Sequence, residues 1–377
     1  MLPPRRRFAW ISVVGCCCAV LSCTDQTVGA PVVTQPRHVA GSPSPSTPAE
    51  IVTIDPRIAR LPGATPFTFG GGGVWIAASS AGDGSKGFVG SLDAFGGSVA
   101  DTRRFGLILE DIDFEQGALW VSATSGACVI YSCGMGGDDP PARPRFPREN
   151  SVTKWDAATL ALDARVPIIG PYQLEGGMGA VWVTAWGTDR SQLVALHPDS
   201  GRRLHVYEHP GDPGELALAG GWVWDLTFIP RSSTRSGAWT LLQVDPSIGR
   251  PIGRMRLRGL RAGDPLSLDA GRRELWIASF ETGAVYRVDL SSERMLPKIS
   301  TGLRIVDVSA GRGGLWVVAG GSLARIDRCT GAVIERFQLP GRARLWRVDQ
   351  HGERVWVSSN RGIFSIPAAA GSTTEPT

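Results

Sequence analysis

One tryptophan, set between aliphatic residues, returns seven times along this chain: Val74-Trp75-Ile76, Leu119-Trp120-Val121, Val181-Trp182-Val183, Val223-Trp224-Asp225, Leu275-Trp276-Ile277, Leu315-Trp316-Val317 and Val355-Trp356-Val357. The steps between successive tryptophans are 45, 62, 42, 52, 40 and 40 residues. A basal period of about 40 residues is that of a four-stranded propeller blade. The tryptophan segment is a continuous apolar run and not an alternation, as expected for a strand covered on both faces by neighbouring sheets. A β-sandwich or a solenoid has no reason to place a large aromatic at one fixed position seven times.

The sixth copy shows a whole blade. Residues 305–310 read as an inner strand, 315–319 as the tryptophan strand, 323–327 as the third strand and 332–339 as the outer one. The last turn, Asp327-Arg328-Cys329-Thr330-Gly331, suits an aspartate bonding its own backbone and a glycine at positive φ. Blade seven ends after its third strand at 363–366, and residues 51–61 are expected to supply its outer strand and so seal the ring. The expectation is an all-β, seven-bladed β-propeller closed by an N-terminal strand, spanning 51–367, with 368–377 as a disordered tail.

The repeat of Gly-x-Leu-Trp-Val followed by Arg-Ile-Asp-x-x-Thr-Gly-x-Val (Gly313–Val317 and Arg325–Val333 in the sixth copy) resembles the exported bacterial propellers of the YVTN and virginiamycin B lyase-like superfamily. The resemblance covers about residues 51–367 and implies the blade, not an activity. No stretch matches the lyase's catalytic histidine or metal-binding acids, so the resemblance names no site residue here. The Asp-x-x-Thr-Gly turn also resembles pyrroloquinoline quinone enzymes, but the tryptophan expected after that turn is absent and their usual blade count is eight.

Residues 1–22 read as an export signal of lipoprotein type. Arg5, Arg6 and Arg7 precede an apolar run from Phe8 to Leu21, too short to span a bilayer comfortably. The run ends in Val20-Leu21-Ser22-Cys23, which resembles the lipobox whose cysteine takes a diacylglyceryl group, so Cys23 is the expected lipidation site. A cleaved signal without a lipid is the alternative. Residues 23–50, with Pro-Ser-Pro-Ser-Thr-Pro and almost no large apolar side chains, read as a flexible tether. Loss of the signal takes away three arginines and no acid, so the net charge of +4 falls to +1. A near-neutral protein of this kind is not expected to bind nucleic acid, and its membrane contact is expected through the anchor alone.

Length varies on one side of the repeat. The connectors between second and third strands are long at 79–87, 124–150, 186–191 and 229–239. By strand alternation they emerge on the face that also carries the blade-to-blade connectors. Loops on one face of a rigid scaffold are where binding usually resides. A protein, glycan or small molecule is the expected partner there, with drifting surface insertions as the alternative. Cys128 and Cys133, in the longest of these loops, are expected to form a disulfide. Cys329 is left over and is expected to be a free thiol.

A second pattern runs through the inner strands. Nine residues before each repeat tryptophan stand Pro66, Asp111, Gln173, Glu215, Ser267, Asp307 and Arg347; seven before stand Thr68, Asp113, Glu175, Ala217, Asp269, Ser309 and Asp349. Every residue between them, eight before, is apolar. Period-two alternation puts the polar set on one face, towards the central channel. Its carboxylates, Asp111, Asp113, Glu175, Glu215, Asp269, Asp307 and Asp349, would repel one another unless a cation or an arginine, of which the set holds one in Arg347, compensates. Ca²⁺ or Mg²⁺ is the cofactor this pattern suggests; a hydrated acidic pore is the alternative.

His205-x-x-Glu208-His209 matches a metalloprotease pattern that needs a helix, yet it falls on an expected outer strand, where residues four apart lie about 13 Å apart. Arg254, Arg256 and Arg258 alternate on the outer strand of blade four, where they could bind an anionic polymer or simply protect an edge. Asp225 is the one charge at a position where the other blades carry Val or Ile, and a buried acid needs a partner. The leading functional expectation is a cell-surface binding scaffold. A divalent-cation-dependent lyase or hydrolase working at the channel is the alternative.

Overall fold

The computed structural model describes residues 66–368 except 80–86, 93–98, 106–107, 125–149, 188–189, 231–236, 261–263, 312, 320, 338–342 and 361. The chain divides into Met1–Pro43 and Ser44–Thr377, and every described residue belongs to the second unit. Cys23, the signal, the tether, the Cys128–Cys133 pair, the sealing strand expected at 51–61 and all but the first residue of the expected tail therefore lie outside the described residues.

Seven antiparallel sheets follow one another along the chain, and in each the strands pair in sequence order. Six have four strands; the seventh, Leu345–His351, Arg354–Ser359 and Gly362–Pro367, has three among the described residues. This is a seven-bladed β-propeller. In blade six the strands are Ile305–Gly311, Gly314–Ala319, Ser322–Ile326 and Val333–Phe337, within two residues of the sequence expectation at each end.

The second strands are the core. All seven residues of Ala118–Thr124 are buried, as are all six of Gly314–Ala319. Each repeat tryptophan is at most 8% exposed and belongs to a different one of seven apolar clusters. Each cluster joins one blade to the next: Trp224 meets Leu275 and Ile277 of blade five, and Trp276 meets Ile305 and Leu315 of blade six. Ring closure is carried by Trp356 of blade seven, which packs with Phe67, Val74, Ile76 and Leu92 of blade one. A buried tryptophan removes about 200 Å² from water, worth about 5 kcal/mol at 25 cal/mol per Å². Seven such wedges hold the ring rigid.

The turns obey their residues. Asp327 Oδ1 accepts the backbone N–H groups of Cys329 and Thr330 and the Thr330 hydroxyl, while Gly331 takes φ of 75°. A Cβ on Gly331 would strike the Ile299 side chain, so both space and backbone demand glycine. The same capping recurs at Asp245 and Asp289, and the bonds hold the Asp289 carboxyl down at about 2. One expectation is corrected here. Cys329 is not a free thiol but is disulfide-bonded. The other six cysteines lie outside the described residues, and a turn cysteine reaches a distant partner only through folding.

Candidate functional site: the acidic channel

The first strand of every blade faces the axis with its inner edge unpaired. Its backbone N–H groups therefore need acceptors from elsewhere. The channel-facing side chains supply them across each blade boundary, in a repeated register. Asp111 Oδ2 accepts Leu174 N–H at 2.9 Å, Gln173 Oε1 accepts Leu216 N–H at 2.6 Å, and Asp307 Oδ2 accepts Val348 N–H at 2.8 Å. Ser267 does the same for Val308 N–H at 3.3 Å. One layer further along, Asp113 accepts Gly176 N–H, Asp269 accepts Ala310 N–H, and Ser309 accepts Gln350 N–H at 3.1 Å. Short polar side chains at these positions thus stitch blade to blade.

The residues eight before each tryptophan, from Phe67 to Val348, are all buried. The polar set surrounds one cavity of about 220 Å³, and all seven sequence-selected acids line it: Asp111, Asp113, Glu175, Glu215, Asp269, Asp307 and Asp349. They come from six blades and are spread around the wall. Among the described residues no three His, Cys, Asp or Glu side chains converge as direct ligands of one ion.

The two layers differ in charge. In the layer of Asp111, Glu215 and Asp307, Arg347 donates to Asp111 Oδ1 at 2.8 Å across 236 residues of sequence. Burial would lower Arg347, but Asp111, Asp307 and Glu215 outweigh it and push its pKa up. Gln173 Nε2 and Tyr172 Oη donate to Glu215, and the Ser267 hydroxyl to Asp307. The other layer holds Asp113, Glu175, Asp269 and Asp349 with no cation of its own. Thr68 donates to Asp113 at 2.9 Å and Ser309 to Asp349 at 3.3 Å.

Burial dominates the electrostatics of the channel. It raises Asp113 and Asp349 to about 6 and Asp269 and Glu215 to about 7, against opposing hydrogen bonds and, for Asp349 and Glu215, the charge of Arg347. Glu175 is pushed well above the ordinary carboxylate range, first by burial and then by Asp113, Asp111, Asp269 and Asp349. A channel whose carboxyls are raised by burial, Glu215 and Asp269 to about 7, suits a cation, which would displace protons to solvent as it binds.

The strand directions place this channel relative to the loops. In each blade the second-to-third connector and the link to the next blade leave from the same face. The Arg347 layer comes earlier on each first strand and so lies nearer that face. Glu110, which the tryptophan count does not select, stands beside it: it accepts the Thr124 hydroxyl at 2.8 Å, and burial raises it to about 6. Thr124 ends the strand that leads into 125–149.

The histidine motif is resolved as expected for a strand. Arg203–His209 is the outer strand of blade three, so His205 and His209 do not share a ligand position. His209 instead meets Asp225 of blade four, Nε2 to Oδ2 at 3.4 Å, both wholly buried. Neither side chain makes a hydrogen bond of good geometry among the described residues. The distance alone would suggest an ion pair. Burial argues otherwise: it lowers His209 to about 4, helped by Arg190 and Arg254, and raises Asp225 to about 7. We read the pair as neutral between those values, because nothing else solvates two buried charges there.

No family model matches the chain, and no curated protein matches it. Solved structures do. A catalytically inactive variant of virginiamycin B lyase from Staphylococcus aureus, with quinupristin, superimposes with a TM-score of 0.58 at 14% identity, over 80% of this chain and 94% of that one. The WD40 domain of Neurospora crassa Pan2 gives 0.59 at 12% identity, over 81% of this chain and 88% of that one. What is shared is the fold. At such identities a lyase and a WD40 domain are equally good matches, so the propeller is established and the chemistry must come from the site.

Proposed function

We propose that this chain is an exported scaffold, held at the outer face of a bacterial membrane by a lipid on Cys23, that binds a ligand at the loop-bearing mouth of the channel. The ligand, a protein, glycan or small molecule, presents positive charge to the carboxylates. The observation that carries the reading is the cavity of about 220 Å³, lined by seven acids against one arginine already engaged with Asp111. Because no three acids converge as direct ligands, the fitting cation is a hydrated Ca²⁺ or Mg²⁺ or an ammonium group, held by several carboxylates at a distance.

A second reading, a cation-assisted lyase or hydrolase, is favoured by one observation. Glu215 and Asp269 titrate near 7 in the same cavity, where a carboxyl can both give and accept a proton. Among the described residues no histidine lines that cavity, so acid–base work would fall to carboxyls.

Thermal unfolding at pH 8 in EDTA, then with Ca²⁺, Mg²⁺ or spermidine, tests the reading. A cation bound only by the folded state at 100 times its Kd adds about 2.7 kcal/mol. The midpoint rises with at least one of these cations, and the rise shrinks in Asp269→Asn. No rise with any of them, or an undiminished rise in the variant, removes the cationic ligand. Mass analysis of Cys23 in the membrane fraction tests the anchor separately.

A further inference from the structure

The outer strand of blade four, Arg250–Arg256, alternates exposed and half-buried residues, and its exposed face carries Arg250, Ile252, Arg254 and Arg256 in one row. Arg258, also exposed, follows directly. Ile252 is 53% exposed, and Ile248, in the turn that leads into the strand, is 51% exposed. None of the four arginines has an acidic partner among the described residues. The next outer strand, Arg294–Ser300, adds exposed Arg294 and Lys298 and contains no acid.

Other outer strands are mixed in charge. Leu162–Pro167 sets Asp163 near Arg165, Arg203–His209 includes Glu208, and Val333–Phe337 sets Glu335 beside Arg336. The rim over blades four and five is therefore predominantly cationic, about 20 Å long along the blade-four strand, with exposed Glu293, which accepts Gln243 Nε2 of blade four at 2.9 Å, as an acid between the two strands. Edge protection accounts for a charge on an outer strand, but not for two isoleucines more than half exposed among the charges, nor for the lack of an acid within either of the two outer strands.

We infer that this rim sector docks on an anionic bilayer surface. Guanidinium groups pair with headgroup phosphates, and aliphatic side chains between them enter the boundary just below. A soluble polyanion would satisfy the arginines and leave Ile248 and Ile252 in water. The inference rests on the surface-anchored reading in one respect: a lipid on Cys23 would supply the membrane on which the rim docks. A lipid alone leaves the domain free to tumble. The rim contact would fix its orientation and keep the loop-bearing face accessible.

The test is vesicle co-sedimentation of the purified protein carrying Cys23→Ser, so that no lipid contributes. Vesicles of pure phosphatidylcholine are compared with vesicles containing one part phosphatidylglycerol to three parts phosphatidylcholine, at low and high salt. Binding is expected to the anionic vesicles only and to weaken with salt. A surface cation is worth about fivefold in partitioning, so the triple variant Arg254→Gln, Arg256→Gln, Arg258→Gln should lose about a hundredfold. Ile248→Ser with Ile252→Ser should also weaken binding while leaving the melting midpoint unchanged. No binding by the parent, equal binding by the triple variant, or competition by dextran sulfate with no effect of the isoleucine pair overturns the proposal. Lipid found on Cys23 without vesicle binding by the Cys23→Ser protein removes the rim contact and leaves the anchor standing.

Discussion

Replacing Asp225 with valine, the residue type its position carries in other blades, should stabilise the protein by an amount that grows with pH. Asp225 is wholly buried, faces the His209 imidazole at 3.4 Å, and has its carboxyl raised by burial from 3.8 to about 7. A group whose folded pKa lies above its unfolded value costs nothing below the unfolded value, and its penalty grows as pH rises through the folded one. At 1.36 kcal/mol per pH unit, the penalty removed by Asp225→Val is near zero at pH 4 and reaches about 4 kcal/mol at pH 8. His209 has the opposite sign. Its pKa is lowered from 6.5 to about 4, so its penalty grows as pH falls, and in the wild type the two slopes cancel between about 4 and 6.5. The valine variant should therefore show stability rising with pH over that interval, where the parent shows little contribution from the pair. Urea unfolding at pH 4, 5.5, 7 and 8.5 measures this, with Asp225→Asn as a non-titrating control of similar size. If Asp225→Val is destabilised at pH 8.5, or if its effect is independent of pH, the pair is a working ion pair and the neutral reading is wrong.

Arg347→Met should cost about 3–5 kcal/mol, because Asp111 is only 4% exposed and would lose its cation while still held to Leu174 N–H. Denaturant unfolding checks it, and Arg347→Met with Asp111→Asn should recover much of the loss. Trp316→Ala should cost about 3–5 kcal/mol through the cavity left between blades six and seven. Its unfolding midpoint, compared with that of an exposed control such as Ile334→Ala, measures the wedge.

The sequence by itself determined what repeats locally. A tryptophan between aliphatics, a Gly or polar turn before it and an apolar residue eight before it are all local signals, and they counted the blades and chose the core. Alternation also marked the channel acids, because a strand has a period of two and a first strand has one face on the axis. Only the tertiary structure decided what each acid does. That Asp111 holds Leu174 N–H on one side and Arg347 on the other could not be read from spacing, since one partner is 63 residues away and the other 236. That Asp225 faces His209 likewise depends on how blade four seats against blade three, although an aspartate among six aliphatics was a visible signal. Cys329 was misread for the same reason. Local pattern records which face a side chain takes, whereas partners across blades are chosen only when the ring closes and brings distant edges together.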